Sequence, residues 1–171
     1  MQKRLLTRAD LGSDYVAAPA SSGSSQMVSP ADCPALAQLA EHAGVLFPSA
    51  HRVTAVFQRD NAPGTRFAEE LYSDRGDRLS HAADQLFAAY RSCSEFALGA
   101  TTTVRVRAAS VPLRVGAERW GQSLTIRTMT GTSEVTQFAV RCGTVLVMLS
   151  APLDDALRRL PQAVDHVGCA A

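Results

Sequence analysis

Four cysteines restrict what this chain can fold into more than any other feature, because cysteines can be joined covalently in pairs. They are Cys33, Cys93, Cys142 and Cys169. Each lies at the boundary of a predicted helix or strand and none forms a C-x-x-C pair, which favours two disulfides over a zinc site or a redox motif. Disulfides persist in oxidising compartments, so the pattern predicts a domain that works outside the cytosol. The alternative is a cytosolic protein with four buried free thiols.

Length and charge narrow the class of protein further. At 171 residues, 46% of them hydrophobic, the chain is long enough for one core and short for two. A formal net charge of +1 gives no long-range field that would gather nucleic acid or anionic lipid, so neither is expected as a partner. No apolar run approaches the roughly 18 to 20 residues that span a bilayer. We therefore expect a monomeric domain, at the cell surface or outside the cell, whose export signal, lipid anchor or transmembrane helix lay before Met1 and was removed.

Three segments of different composition follow one another along the chain. Residues 1–16 form a short apolar-periodic arm that we expect to dock on the domain. Residues 17–31 are rich in Ser, Gly, Pro and Ala without periodicity, which predicts a flexible connector. The folded domain is expected over residues 32–171.

Hydrophobic periodicity predicts the elements of this domain. Helices are expected over residues 34–44, 78–93 and 153–164. Pro161 is expected to kink or interrupt the last of them. Strands are expected over residues 51–59, 66–73, 101–108, 123–130, 134–141 and 144–150. The order α-β-β-α-β-β-β-β-α is typical of an α+β fold, here a central antiparallel sheet of about six strands with helices packed on it.

Several short motifs also occur in the order of a known family. They are Asp-Cys-Pro-Ala-Leu at 32–36, a strand around 53–57, Phe-Ala-Glu-Glu-Leu-Tyr-Ser at 67–73, a helix ending Ala-Ala-Tyr-Arg-Ser-Cys at 88–93, Val-Gly-Ala-Glu at 115–118 and Val-Arg-Cys-Gly at 140–143. Over residues 5–169 the series resembles the PknH-like extracellular sensor domains and lipoproteins of actinobacteria. The resemblance implies a periplasmic or cell-surface domain with two intramolecular disulfides, an antiparallel sheet and a cleft for a small ligand, and no established enzyme activity. The turn Gly116-Ala117-Glu118-Arg119 departs from the Gly-Asp-Glu-Ser type that is more usual in the family, so no shared role of that loop is carried over.

The four cysteines allow three pairings. If the first two predicted helices are neighbours in one layer, Cys33 joins Cys93, and Cys142 joins Cys169 to fix the closing helix to the last hairpin. On the chain-entropy account, closing loops of about 60 and about 27 residues stabilises the fold by roughly 3 to 4.5 kcal/mol each.

Four arginines in predicted strands form the first candidate ligand site, because alternation places them on the sheet face opposite apolar neighbours. They are Arg105, Arg107, Arg127 and Arg141. If their strands are adjacent, the guanidinium groups line one surface that could hold a carboxylate, a phosphate or an anionic glycan. The alternative is the solvated face of a sheet that is buried on one side only.

Glu69 and Trp120 complete the candidate ligand site. Glu69 is in phase with Phe67 and Leu71, which favours an inward position, and a buried carboxylate there would need an arginine partner. The alternative for Glu69 is an edge-strand residue in solvent. Trp120 follows Arg119 in the loop before a strand, where its ring could stack on a ligand or cap the core.

No pattern of catalytic or metal-binding residues stands out. The chain has no G-x-S-x-G elbow and no Gly-rich phosphate loop, and His42, His51, His81 and His166 fall on different elements in groups too small to hold a metal. We expect no enzyme activity, no metal and no cofactor. Two hypotheses for the function remain. The first is a sensor or ligand-binding domain, in a surface lipoprotein or a receptor ectodomain, that binds a small cell-envelope ligand in a cleft. The alternative is a lipoprotein that docks another envelope protein and has no small-molecule ligand.

Overall fold

The computed structural model describes residues 1–19, 30–41, 51–113, 116 and 118–169. In chain order its helices and strands are α1 (Arg8–Leu11), β1 (Tyr15–Ala17), β2 (Pro30–Ala31), α2 (Pro34–Glu41), β3 (His51–Arg59), β4 (Ala62–Ser73), α3 (Gly76–Ser92), β5 (Glu95–Leu98), β6 (Thr102–Ala108), β7 (Glu118–Thr128), β8 (Gly131–Cys142), β9 (Val145–Ala151) and α4 (Leu153–His166). A single 3-10 turn at Gln2–Arg4 precedes them. The predicted α+β fold, with an antiparallel sheet, packed helices and two disulfides, is confirmed.

The sheet is larger than predicted. Within the described residues it has nine strands in the order β1-β3-β4-β9-β8-β7-β6-β5-β2, all paired antiparallel, instead of about six. The additional strands β1, β2 and β5 have only 3, 2 and 4 residues. Such short segments contain too few alternations to give a periodic signal, and they are held by pairing with longer strands.

Two parts of the predicted connector belong to the sheet. Ala17 ends β1, at one edge of the sheet, and Pro30–Ala31 forms β2, at the opposite edge. Residues 20–29 of the predicted connector lie outside the described residues, as do His42 and the predicted end of the first helix near residue 44.

Helices cover both faces of the sheet. On the face that we call the α4 face, α4 and the arm bury one apolar cluster, which includes Leu6, Tyr15, Phe57, Phe67, Leu71, Phe138, Val140, Val147, Leu149, Leu160 and Val164. On the opposite face, the α3 face, α2 and α3 bury two more, which include Cys33, Leu36, Tyr72, Leu79, Ala83, Phe87, Phe96, Val104, Val106, Trp120, Leu124, Leu146 and Met148. β9 is buried on both faces, as its continuous apolar run predicts for a central strand.

The sequence predicted that Pro161 would kink or interrupt the last helix, but α4 continues through this residue. Proline removes one N–H donor from a helix and leaves the carbonyl of the preceding turn without its partner. Pro161 lies on the exposed side of α4, where water can hydrate that carbonyl. The helix therefore tolerates proline at this position.

The disulfides fasten helices to their neighbours. Cys33 is bonded to Cys93 and ties the start of α2 to the end of α3, two helices that also contact each other. Cys142 is bonded to Cys169 and ties the end of β8 to the turn after α4. These are the pairs expected if the first two predicted helices are neighbours. None of the helices in the described part of the chain combines the length and the apolar content that crossing a membrane requires.

The N-terminal residues lie on the α4 face. Leu5, Leu6 and Leu11 are buried in the same cluster as α4. Arg159 of α4 donates to the carbonyl oxygen of Leu11 at 2.9 Å, and Gln162 donates to Asp10 Oδ1 at 2.6 Å. The first and last helices in chain order therefore share one layer of the fold.

Candidate functional site

An open cleft forms where β6 leaves the sheet. The pairing of β6 with β7 stops at Ala108, which lies opposite Gln122, and residues 109–113 then run beside the start of β7. The space between this segment, β7 and the last turn of α3 has a volume of about 580 Å³. We call it the β7 cleft. It is lined by Arg91, residues 108–113, Arg119, Trp120 and Gly121.

Gly121 allows the wall of this cleft to approach β7 closely. The N–H of Ala109 donates to the carbonyl oxygen of Gly121 at 3.1 Å. A Cβ atom at position 121 would lie only 2.3 Å from the carbonyl oxygen of Ala109. Glycine is therefore needed at this position for steric reasons, and it sets where residues 109–113 run.

Trp120 is a core residue whose edge reaches the β7 cleft. Its side chain is 8% exposed and belongs to the cluster under α3. The indole Nε1–H donates to Asp84 Oδ1 at 2.7 Å, and the ring stacks on Phe87 with centroids 6.5 Å apart. These contacts fix the indole, so it offers the cleft a rigid wall.

Two arginines that the sequence analysis did not select line the β7 cleft. Arg91, on α3, and Arg119, on β7, are both exposed. The Nε–H of Arg91 donates to the carbonyl oxygen of Phe87, and Arg119 donates through Nη1 to that of Leu113. Sequence reasoning considered arginines in strand alternation only, so the helical Arg91 was missed. The pair Arg119-Trp120 directly before a strand was the available signal.

Three of the four predicted arginines do share a face. Arg105 lies opposite Thr125 and Arg127 opposite Thr103, which puts both on the α4 face with Arg107. All three are exposed, on the part of that face that lies beyond α4. Arg105 forms an ion pair with Glu95 at 2.9 Å, so its charge is partly compensated within the sheet.

The predicted placement of Arg141 with them was wrong. Arg141 lies opposite Glu118 in the β7–β8 register and is therefore on the α3 face. Its Nε donates to Glu118 Oε2 at 2.8 Å, and Ser80 of α3 donates to the same oxygen. The Ser80 hydrogen bond and then the Arg141 hydrogen bond lower the pKa of Glu118 below its usual value.

The burial of β8 explains why the predicted placement of Arg141 was wrong. Phe138, Ala139 and Val140 are consecutive and each is 0% exposed, because helices cover both faces of the sheet there. Alternation shows which side chains share a face, but it identifies the solvent side only when one face is polar. Val140 thus lies on the α4 face with Arg127, and Arg141 on the other.

Glu69 points inward as its phase suggested, but the described residues give it no arginine partner. It is 0% exposed on the α4 face. The backbone N–H of Leu6 donates to its Oε2 at 2.6 Å, and its Oε1 has no partner among the described residues. Burial raises the pKa of the Glu69 carboxyl to about 7, although the Leu6 hydrogen bond acts in the opposite direction.

A second buried carboxylate, Asp155, was not selected from the sequence. It is 4% exposed on α4 and accepts hydrogen bonds from the Tyr15 hydroxyl at 2.5 Å and from Arg158 at 2.5 Å. Arg59 of β3 donates to both of its oxygens. Burial raises the pKa of Asp155, but these hydrogen bonds and the two arginine charges together bring it below its usual value. The cluster joins β1, β3 and α4.

The described residues contain no group of three or more His, Cys, Asp or Glu side chains that could hold a metal ion. The β7 cleft is instead lined by guanidinium groups, an indole edge and apolar side chains. Such a surface can bind an anion through the arginines and an apolar group through Trp120 and Val111.

Comparison with known proteins adds one structural match. No protein family matches the chain, and no curated protein does. A solved structure of an uncharacterised protein from Mycobacterium smegmatis, the Rv0999 ortholog, is similar at 20% sequence identity. The match covers 77% of this chain and 73% of that chain, with a TM-score of 0.45.

Proposed function

We propose that this chain is an extracytoplasmic ligand-binding domain that takes a small, anionic cell-envelope molecule in the β7 cleft. The observation that carries the proposal is the convergence of Arg91, Arg119 and the edge of Trp120 on one cleft of about 580 Å³. Binding sites for small molecules are typically concave, a few hundred Å³ in volume and supplied with a few fixed polar groups. The two disulfides are consistent with an extracellular protein.

The chemistry of the cleft defines the ligand class. A guanidinium has N–H donors in a planar fork that matches a carboxylate or a phosphate. Arg91 and Arg119 approach the cleft from α3 and from β7, while Val111 and Leu113 supply apolar surface beside them. The ligand is therefore an amphiphile with one anionic group and an apolar or stacking portion. Attachment of the domain to the cell surface, through a lipid anchor or a transmembrane helix, is part of the same proposal.

Thermal melts test this function. The probes are inorganic phosphate, glucuronate and short-chain phosphatidic acid at millimolar concentration, which separate phosphate, carboxylate and amphiphile recognition. A ligand at about 100 times its Kd stabilises by about 2.7 kcal/mol, which raises the Tm of a chain of this size by several degrees. We expect Arg91→Ala and Arg119→Ala each to weaken binding about tenfold or more, since each removes charge-assisted hydrogen bonds.

Arg127→Ala is the matched control, because Arg127 is an exposed arginine on the sheet but outside the cleft. It should leave binding unchanged. No shift in Tm with any probe, or an equal loss in the Arg127 variant, would contradict a binding role of the β7 cleft.

A second candidate is docking of another envelope protein. Leu153 and Leu157 lie one turn apart on α4 and are 50% and 38% exposed, so two apolar side chains adjoin on the outer side of this helix. Apolar side chains on the outer side of a helix suit a partner surface better than a small molecule. A Leu153→Ser, Leu157→Ser variant that keeps ligand-induced shifts but loses an envelope partner would favour this function over the first.

A further inference from the structure

The first 11 residues of the arm cover a buried carboxyl group. Leu5, Leu6 and Leu11 are 4%, 2% and 4% exposed on the α4 face, and the Leu6 amide donates to Glu69 Oε2 at 2.6 Å. Glu69 Oε1 has no partner among the described residues. Residues 1–11 therefore help to shield the carboxyl from water.

A short hinge separates these residues from a firmly held strand. α1 ends at Leu11 and is followed by Gly12, whose φ of 106° is a backbone conformation that favours glycine. Three residues further on, the Tyr15 hydroxyl is bound to Asp155, and Arg59 contacts both groups. β1 is therefore anchored independently of Glu69. A change of conformation at residues 12 and 13 would let residues 1–11 lift away once the hydrogen bonds from Arg159 and Gln162 are broken.

We propose that residues 1–11 are a pH-controlled strap, closed over the α4 face while Glu69 is protonated and released when Glu69 ionises. Release uncovers the apolar side chains of Phe57, Phe67 and Leu71 that the strap covers together with α4. The device goes beyond the proposed function and does not depend on it, because the β7 cleft is formed by other strands.

None of the charged groups that the structure describes around Glu69 supplies a counter-ion. Its neighbours on β3 and β9 are Ala55 and Leu149, which do not titrate. From the strap, Asp10 acts on Glu69 as a like charge and raises its pKa. From α4, the charges of His166 and Arg159 act on Asp10 and not on Glu69. The other carboxylate of α4, Asp155, accepts hydrogen bonds from Tyr15, Arg59 and Arg158. An ionised Glu69 under the closed strap would thus be a buried charge with one hydrogen bond.

The sign of the pH effect follows from linkage. With the strap closed, burial raises the pKa of Glu69 to about 7, whereas a solvated glutamate has its ordinary value of 4.5. A raised pKa in the closed state means that closure is strongest below the ordinary value and weakens as the pH rises to the raised one. Between pH 5 and pH 8 the closing equilibrium constant should fall roughly 70-fold.

Hydrogen exchange of the Leu6 amide in the full chain measures strap opening. After correction for intrinsic exchange, we expect the protection factor of the Leu6 amide to fall roughly 70-fold from pH 5 to pH 8. The protection factors of amides in β8 and β9 should not change. In Glu69→Gln, which cannot ionise, Leu6 protection should not change with pH. A second readout is trypsin cleavage after Arg8, which should be faster in the wild type than in Glu69→Gln at pH 8.

Two controls make the test specific. Glu70→Gln is the same change one residue along β4, on the other face of the sheet, and should retain the pH dependence of Leu6. His166→Gln removes the imidazole whose charge acts on Asp10, and it should also retain the pH dependence of Leu6 protection. The strap is ruled out if Leu6 protection is independent of pH, if Glu69→Gln still shows the fall, or if β8 and β9 lose protection in parallel with Leu6.

Discussion

Two carboxylates on the same face of the sheet show how partners, and not burial alone, decide the charge of a buried group. Asp155 and Glu69 are 4% and 0% exposed. Asp155 receives hydrogen bonds from Tyr15 and two arginines, and its pKa lies below the usual value; Glu69 receives one backbone amide, and its pKa is raised. Asp155 therefore joins elements as an ion at neutral pH, whereas Glu69 is best accommodated as an acid.

Removing the charge of Asp155 should destabilise the fold. Asp155→Asn leaves Arg59 and Arg158 without their shared counter-charge, and we expect a loss of about 1 to 3 kcal/mol in the free energy of unfolding at pH 7. The figure is below that for a fully buried pair because the two arginine side chains are 36% and 61% exposed. Urea denaturation of the wild type and the variant measures this loss in the free energy of unfolding.

The same variant should change the dependence on acid. A carboxyl whose pKa is lowered on folding stabilises the fold above its unfolded value, and this contribution disappears as the pH falls through the folded value. Asp155→Asn should therefore lose less stability than the wild type between pH 5 and pH 2. Asp154→Asn, the exposed neighbour on the same helix, is the control, and an equal effect there would contradict the role given to the cluster.

At the residue scale, phase along a strand could be predicted and distant partners could not. Alternation with Phe67 and Leu71 correctly predicted that Glu69 points inward. Its hydrogen-bond donor, Leu6, is 63 residues away and is a backbone group, so no side chain in the sequence marks it. The same reasoning placed Arg141 on the wrong face, because three consecutive buried residues before it hide which side of β8 faces solvent.

At the scale of elements, the β7–β8 hairpin organises the candidate site. β7 begins at Glu118, five residues before the predicted strand, and its unpredicted first part carries Arg119, Trp120 and Gly121. Glycine in a strand normally weakens the prediction of a strand, yet here it permits the close crossing of residues 109–113. The long helices and the six longer strands were predictable because each repeats its apolar period several times.

Gly121→Ala tests this crossing. The new Cβ would meet the carbonyl oxygen of Ala109, so residues 109–113 must move away from β7. We expect a loss of about 1 to 3 kcal/mol in the free energy of unfolding, together with weaker ligand binding in the β7 cleft. Ser123→Ala, two residues along the same face, is the matched control and should change neither in urea denaturation or thermal melts. Wild-type stability in the Gly121 variant would show that the segment is not held where the structure has it.

At the scale of the whole molecule, a sheet covered on both faces explains both the success and the limits of sequence reasoning. An antiparallel α+β fold follows from the runs of strands, and the boundary cysteines indicated two disulfides. The distribution of the helices between the two faces of the sheet could not be predicted from the sequence, because this distribution depends on the order of the strands. β9, last in sequence, lies between β4 and β8 at the centre of the sheet.

The two disulfides should differ in what they contribute. They close loops of 60 and 27 residues, which on the chain-entropy account gives about 4.3 and about 3.5 kcal/mol. The double variant Cys33→Ser, Cys93→Ser should thus lose slightly more stability than Cys142→Ser, Cys169→Ser in denaturant titrations without reductant. Alkylation of the unfolded wild type without reductant should label no thiol. A clearly larger loss for the shorter loop would mean that local packing, not loop closure, dominates.

Contacts between residues far apart in the sequence determine when the α4 face of this fold can be completed. The strap is held by Arg159 and Gln162, which lie on the last helix in chain order. A polypeptide that passes through a secretion channel with its N-terminal side leading delivers the strap before its docking helix. Residues 1–11 must therefore wait, undocked, until α4 has followed them, and the bond between Cys142 and Cys169 can form only at that same later stage.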